Sequence, residues 1–230
     1  PPLSGVLDYR AQVDARMQAF LPHADDAAAA AIELGLQHEQ QHQELLVTDL
    51  KHLLAQNPLR PAWRTAAAPV AGATPPAPGW LRHGAAGTVL VGAPAEGFAF
   101  DNERPRHPVW LQPYELADRP VSCGEYLRFI EAGGYDDPRW WLADGWNAVC
   151  AGGWRAPLYW ETDGSGGWRR FSVHGMRAID PAAPACHLSF YEADAFARWA
   201  GKRLPTESEW EVAAQDAPHG GNLLDSGALH

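Results

Sequence analysis

Two stretches near the start of the chain carry hydrophobic residues at helical spacing. Between residues 4 and 21, apolar side chains recur three or four positions apart, which predicts a helix with Ser4 as its N-cap. A second predicted helix runs from about Asp25 to Gln56, because its start is rich in alanine and a proline follows its end. Residues 1–57 are therefore predicted to form an α-helical segment.

The second predicted helix has a largely apolar stripe that contains two histidines. At about 100° per residue, the stripe contains Ala31, Gly35, His38, His42, Leu45, Asp49 and Leu53. His38 and His42 are one turn apart, so both imidazoles leave the same face and can bind one metal ion. At least one further ligand must then come from elsewhere. Two helices bury little apolar surface, so the stripe predicts a helical bundle completed by an N-terminal part of the domain or by another chain.

The pattern changes after a stretch rich in proline and alanine, residues 58–79, which is predicted to be a linker. From residue 80 onward, short β-type runs such as TVLVGA and HPVWLQPYEL alternate with glycine and proline. The region from 135 to 185 is rich in tryptophan and glycine and shows little regular pattern. Residues 80–230 are therefore predicted to form an irregular α+β domain. Its short helices are predicted from three capping boxes, Ser122 with Glu125, Ser189 with Glu192, and Thr206 with Glu209.

Composition narrows the classes of function. The net charge is −10 and lysine and arginine form no run, which argues against nucleic acid or an anionic membrane as the partner. No apolar run reaches the roughly 18 residues of a membrane span. The cysteines form no C-x-x-C pair, which indicates a reduced, cytoplasmic protein in which Cys123, Cys150 and Cys186 have packing roles. The tryptophans of the second half, Trp210 among them, are also expected to pack against loops and helices.

The string from His38 to His42 also matches H-E-x-x-H, the zinc-hydrolase motif in which the glutamate is the general base. The extended motif requires glycine and histidine where this chain has Leu45 and Thr48. Glu39 lies at the edge of the apolar stripe. From the residues alone, the histidine pair is either part of a metal site or a hydrogen-bonded structural feature, and a zinc hydrolase lacks its third ligand.

Both halves of the chain resemble one known family. The segment GLQHEQQHQELLVTDLKHLLAQNPLRP resembles the iron-binding helix of the sulfoxide synthases of ergothioneine biosynthesis. The segments FDNERPRHPVWL, CGEYLRFIEAGGYDDPRWW and HLSFYEADAFARWAGKRLPTESEWEVAA resemble their second domain. The resemblance implies a multidomain fold of α and α+β parts. Residues 1–57 would be the C-terminal half of a DinB-like helical bundle. Residues 80–230 would be a formylglycine-generating-enzyme-like domain, of the sulfatase-modifying-factor type and related to C-type lectins, truncated at its C-terminal end.

The family resemblance also implies an activity. Its members are non-heme Fe(II) oxygenases that join the sulfur of γ-glutamylcysteine, or of cysteine, to C2 of the imidazole of Nα-trimethylhistidine (hercynine) and oxidise that sulfur with O2. By this resemblance, His38 and His42 are two of three iron ligands, Gln41 lies beside the histidine substrate, and Glu39 has no catalytic role. The third histidine and the catalytic tyrosine are expected outside this chain. The chain resembles an internal fragment and by itself is expected to bind iron weakly or not at all and to be inactive.

Three alternatives remain open. An ovothiol-type 5-histidylcysteine sulfoxide synthase would act on unmethylated histidine. A metal-free, lectin-like binding module would have a degenerate bundle. A zinc hydrolase would use the H-E-x-x-H string.

Overall fold

The computed structural model describes residues 1–65, 75–218, 220–223 and 226. The chain divides into two compact units, one formed by residues 1–47 with 92–106, and the other by residues 48–91 with 107–230. Part of the predicted linker, residues 66–74, lies outside the described residues. None of the described helices combines the length and the hydrophobicity that a membrane crossing requires.

The two predicted helices are present as α1, Leu3–Phe20, and α2, Asp26–Gln56. The predicted cap at Ser4 is wrong: Pro2 is the N-cap residue of α1 and makes no side-chain cap hydrogen bond. The extended backbone of Pro2 allows the helix to begin at the next residue, so Ser4 lies inside the first turn. At the start of α2, Asp25 Oδ1 accepts the N–H of Ala28 at 2.8 Å, which caps the helix.

The apolar stripe of α2 is exposed in this chain. Leu45 and Leu53 are 53% and 67% exposed, and α1 has no buried residue. A helix face with exposed leucines is typical of an element that buries this face against a partner. The DinB-like bundle around the stripe therefore stays a prediction.

Antiparallel strands form three small sheets in the described part of the second unit. The predicted β-type runs are confirmed as β2, β3 and β4. The first sheet pairs β1, Trp80–His83, with β4, Tyr114–Ala117. The second pairs β2, Gly87–Val91, with β3, His107–Leu111. The third contains β5, Trp160–Thr162, β6, Trp168–Ser172, and β7, Gly175–Ala178, with β6 in the middle and Arg170 opposite Trp160.

Helices of eight to ten residues complete this unit. All three predicted capping boxes are confirmed: each hydroxyl accepts the N–H of its glutamate, and each glutamate accepts the N–H of its capping residue. Two backbone N–H groups are thereby satisfied at the start of each of these helices. The helices are α3, Cys123–Glu131, α4, Ala143–Gly152, α5, Phe190–Trp199, and α6, Glu207–Ala214.

The region from 135 to 185 is more regular than predicted, since it contains α4 and the strands β5 to β7. Helix α4 has no side-chain cap hydrogen bond at its start and ends at Gly153, whose φ of 60° is left-handed. The three strands have three to five residues and contain three arginines and two tryptophans but only one β-branched residue, Thr162. The sequence pattern is weak for these two reasons.

Aromatic side chains form the core of the second unit. Phe129 is fully buried, and its ring centroid lies 5.5–6.0 Å from those of Tyr126, Tyr135, Phe196 and Trp199. The predicted packing role of the tryptophans is confirmed for those in the region from 135 to 185. Two are buried and four pack partly buried against the core: Trp141 and Trp160, and Trp140, Trp146, Trp154 and Trp168.

Two predicted packing roles are wrong. Trp210 is 60% exposed, because α6 turns Glu209 inward instead. The Glu209 carboxylate accepts hydrogen bonds from Arg203 and from the N–H of Thr206, so its charge is satisfied locally. Cys150 is exposed next to the buried Val149, whereas Cys123 is buried as predicted.

An ion pair at the start of α3 ties the stability of this unit to pH. Arg119 donates to both carboxylate oxygens of Glu125, at 2.8 and 3.1 Å. These hydrogen bonds lower the pKa of Glu125 from 4.5 to about 2. Because the folded pKa lies below the unfolded one, the ionised pair stabilises the fold fully above about pH 4.5. This contribution is lost as the pH falls towards 2.

Replacing Arg119 with methionine is therefore expected to lower the free energy of unfolding at pH 7. The difference should fall by about half at pH 3, where the carboxyl is less ionised. Urea unfolding at both pH values measures it. Arg128→Met, on the exposed side of α3, is the matched control and should show a small difference that does not vary with pH. If Arg119→Met lowers the free energy of unfolding equally at both pH values, Arg119 stabilises the fold through its hydrogen bonds with the carbonyls of Pro76 and Pro120 instead.

Candidate functional site

The predicted histidine pair is brought together on α2. The ring centroids of His38 and His42 are 4.5 Å apart, with an angle of 65° between the ring planes. Both side chains are exposed. Positions four residues apart on a helix share a face, so one ion can reach both imidazoles while the rest of its coordination sphere stays open.

Gln41 lies next to this pair and is also exposed. Its amide offers both a hydrogen-bond donor and an acceptor, which suits contact with a polar small molecule beside the metal face. Glu39 is exposed as well.

The pair fits Fe(II) as two of its ligands. Neutral imidazole is a good ligand for ferrous iron, and two imidazoles on consecutive turns leave several coordination positions free. Within residues 1–65 and 75–218 and the few described after them, no group of three or more His, Cys, Asp or Glu side chains is arranged to hold an ion. The metal-ligand role of His38 and His42 stays a prediction, and so does the third histidine.

A second polar cluster, in the other unit, was not predicted from the sequence. Lys51 is only 6% exposed, and its Nζ donates a hydrogen bond to Nε2 of His187. The same Nζ lies 4.8 Å from the ring centroid of Tyr159. A hydrogen bond of 3.0 Å joins the Tyr159 hydroxyl to Nδ1 of His52, which is exposed. We refer to Lys51, His187, Tyr159 and Arg170 as the lysine cluster.

Burial sets the protonation states within the lysine cluster. It lowers the pKa of Lys51 to about 8; the charge of Cys186 opposes this shift and that of Arg170 adds to it. Burial, with the positive charges of Lys51 and Arg170, lowers the pKa of His187 to about 4. At neutral pH the imidazole is uncharged and accepts the hydrogen bond from the Lys51 ammonium group.

Arg170, in the middle strand β6, lies close to the sulfur atoms of two cysteines. Its Nη1 lies 3.6 Å from Sγ of Cys186 and 3.9 Å from Sγ of Cys123. Burial raises the pKa of Cys123 to about 11, so this thiol is uncharged at neutral pH. The guanidinium charge is therefore not neutralised by Cys123.

No local pattern could have revealed this cluster. Lys51 and His187 are 136 residues apart in sequence, and Lys51 also fits the last turns of a helix as a simple surface cation. His187 and Tyr159 have left-handed backbones, with φ of 64° and 73°, which neither residue type indicates in the sequence.

A mostly apolar cavity of about 770 Å³ also lies in the second unit. Its lining includes Trp80, Phe196, Lys202 and Trp210, and Nζ of Lys202 lies 4.5 Å from the ring centroid of Trp80.

Comparison with known proteins establishes the family. Residues 81–226 match the sulfatase-modifying factor enzyme 1-like domain, and the chain belongs to this family. The predicted formylglycine-generating-enzyme-like α+β domain is thereby confirmed.

Similar curated proteins carry two kinds of name. A hercynine oxygenase of Mycolicibacterium thermoresistibile is 36% identical over 199 residues, which cover 82% of this chain and 41% of that protein. A hercynine oxygenase of Mycobacterium tuberculosis is 35% identical over 208 residues, 90% of this chain and 48% of that protein. A formylglycine-generating enzyme of Streptomyces coelicolor is 35% identical over 132 residues, 52% of this chain and 41% of that protein. The chain thus spans less than half the length of these relatives.

Proposed function

We propose that this protein is a non-heme Fe(II)- and O2-dependent sulfoxide synthase of ergothioneine biosynthesis. It joins the sulfur of γ-glutamylcysteine, or of cysteine, to C2 of the hercynine imidazole, and it acts in the cytoplasm. His38 and His42 bind the iron and Gln41 contacts the histidine substrate.

The extent of the match to hercynine oxygenases carries this proposal. A continuous match over 90% of the 230 residues leaves at most about 23 residues unmatched, so it includes the segment from His38 to His42 as well as most of the second domain. The match to the formylglycine-generating enzyme covers 52% of the chain, which is less than the length of the sulfatase-modifying-factor domain alone. The histidine helix and the second domain together therefore favour chemistry on hercynine over formylglycine formation.

The side chains of α2 can divide metal binding and substrate binding between them. The exposed imidazoles of His38 and His42 supply two ligands on one face. The Gln41 amide, on the same part of the helix, can hold a substrate imidazole or carboxylate by hydrogen bonds. When bound, Fe(II) supplies the redox chemistry with O2 that the reaction requires.

The test uses the full-length protein, loaded with Fe(II) under anaerobic conditions and then given hercynine, γ-glutamylcysteine and air. The expected result is the C2 sulfoxide conjugate, detected by mass spectrometry, with O2 consumed in proportion. Cysteine in place of γ-glutamylcysteine identifies the thiol donor.

Parallel reactions decide between the alternatives. Conjugation of unmethylated histidine in preference to hercynine would assign the ovothiol-type reaction instead. Peptide hydrolysis supported by Zn(II), without conjugation, would favour a zinc hydrolase. A full-length protein that binds no iron and forms no conjugate would contradict the proposal and leave a binding module.

A further inference from the structure

Two cations of the lysine cluster contact consecutive residues, Arg170 contacting Cys186 and Lys51 contacting His187. Among the described residues, no carboxylate is hydrogen-bonded to either cation. Lys51 is buried, and its Nζ contacts the imidazole of His187 and the face of Tyr159. Arg170 is half-buried, and the side-chain partners of its guanidinium are the sulfur atoms of Cys186 and Cys123. Each cation would ordinarily need a counter-ion in such a place, because burying an uncompensated charge is strongly unfavourable.

Four other arginines of this unit have counter-ions. Arg119 binds Glu125, Arg203 binds Glu209, and Arg60 and Arg169 both bind Glu161. Arg170, on the strand next to Glu161, binds none of these carboxylates.

The groups that face Lys51 do not remove the charge imbalance. His187 is neutral at pH 7, because its pKa is lowered to about 4, and the Tyr159 hydroxyl is also neutral, because burial raises its pKa. Burial is the main cause of the lowered pKa of Lys51; Cys186 raises this pKa, and Arg170 lowers it to a smaller extent. The nearby Asp180 acts electrostatically on Cys123. Without an added anion, Lys51 loses its proton near pH 8.

Both cations of the lysine cluster have more N–H donors than their described hydrogen bonds use. An ammonium group has three N–H donors, of which His187 accepts one, and the Arg170 guanidinium has five in a planar fork. Such a fork binds carboxylate or phosphate oxygens in pairs. The hydroxyl of Tyr159 with the exposed His52 places one edge of the cluster at the surface. The left-handed backbones of Tyr159 and His187 are of the kind that collects at ligand-binding sites.

We propose that Lys51 and Arg170, with the Tyr159 hydroxyl at its edge, form a binding site for a small oxyanion, a carboxylate or phosphate group. An anion there supplies the missing counter-charge and accepts the unused donors. This site is independent of the proposed iron chemistry, since neither cation belongs to the metal face and the test requires no metal.

The experiment titrates the metal-free, full-length protein with inorganic phosphate, sulfate or acetate, each against chloride at equal ionic strength. Thermal unfolding and calorimetry at pH 7 are expected to show saturable stabilisation. Binding should weaken at least about tenfold in Lys51→Met and in Arg170→Met. It should also weaken in the unaltered protein between pH 7 and pH 9, as Lys51 loses its proton. Preference for acetate would identify an organic carboxylate as the ligand, and preference for phosphate a phosphate group.

Lys202→Met is the matched control, because Lys202 is an exposed lysine of the same unit that lies over Trp80. It should leave anion binding unchanged. Equal anion binding in the control and in both cluster variants, or no saturable binding of any anion, would overturn the proposal. If Lys51→Met does not fold, 13C NMR of labelled lysine in the unaltered protein gives a second measurement. Anions should then raise the pKa of Lys51 above about 8, and an unchanged pKa would contradict the site.

Discussion

Replacing His42 with alanine in the full-length protein is expected to lower Fe(II) affinity by more than about 100-fold, since even residues that only support a metal ligand change affinity by 10- to 100-fold. His38→Ala should have the same effect, because the two imidazoles stand side by side on one helix face with ring centroids 4.5 Å apart. Sulfoxide formation should fall below detection in both variants at iron concentrations that saturate the unaltered protein. Iron content after anaerobic loading and the yield of conjugate measure the two effects separately.

Two neighbours on α2 provide controls for this experiment. Glu39→Gln should leave iron binding and conjugation unchanged, whereas a zinc hydrolase would lose its general base and its activity. Gln41→Ala should retain iron and raise the KM for hercynine, since the amide is proposed to contact substrate rather than metal. Circular dichroism verifies that each variant is folded. A His42→Ala protein that keeps both its iron and its turnover would show that the metal lies elsewhere.

The local features of this fold could be predicted from its sequence because their causes are local. Each capping box needs only a hydroxyl and a glutamate three residues apart, and all three boxes form as predicted. The two long helices follow from apolar spacing and alanine content, and the face shared by His38 and His42 follows from the helical repeat alone.

The features that escaped prediction depend on contacts between distant segments. The strand carrying Arg170 has no β-branched residue to mark it, and its meeting with Cys123 and Cys186 results from the packing of the whole domain. Lys51 has the sequence pattern of a surface residue, and only the fold buries it beside His187. Conversely, Trp210 is a typical core residue by type, yet Glu209, which pairs with Arg203, occupies the buried side of this helix. Side-chain type alone cannot decide such competition for the interior.

Replacing Phe129 with alanine is expected to lower the free energy of unfolding of the second unit by about 3–5 kcal/mol, a large part of the 5–15 kcal/mol typical of a folded domain. Phe129 is fully buried between Tyr126, Tyr135, Phe196 and Trp199. A Cβ added at Gly134 would overlap the Phe129 ring, so the space around the ring is already filled and the cavity left by alanine would remain. Urea unfolding followed by tryptophan fluorescence measures the change.

Two further variants test whether the loss comes from the cavity. Phe129→Leu keeps much of the side-chain volume and should lower the free energy of unfolding by about half as much. Trp210→Ala removes a larger side chain, but from an exposed position, and should change it by only about 0.5 kcal/mol. An equal effect of Phe129→Ala and Trp210→Ala would contradict an aromatic core centred on Phe129. The stability of the chain would then depend on its ion pairs and on the capping boxes at the starts of α3, α5 and α6. Each cap is expected to contribute about 1 kcal/mol, which Ser189→Ala and Thr206→Ala measure separately.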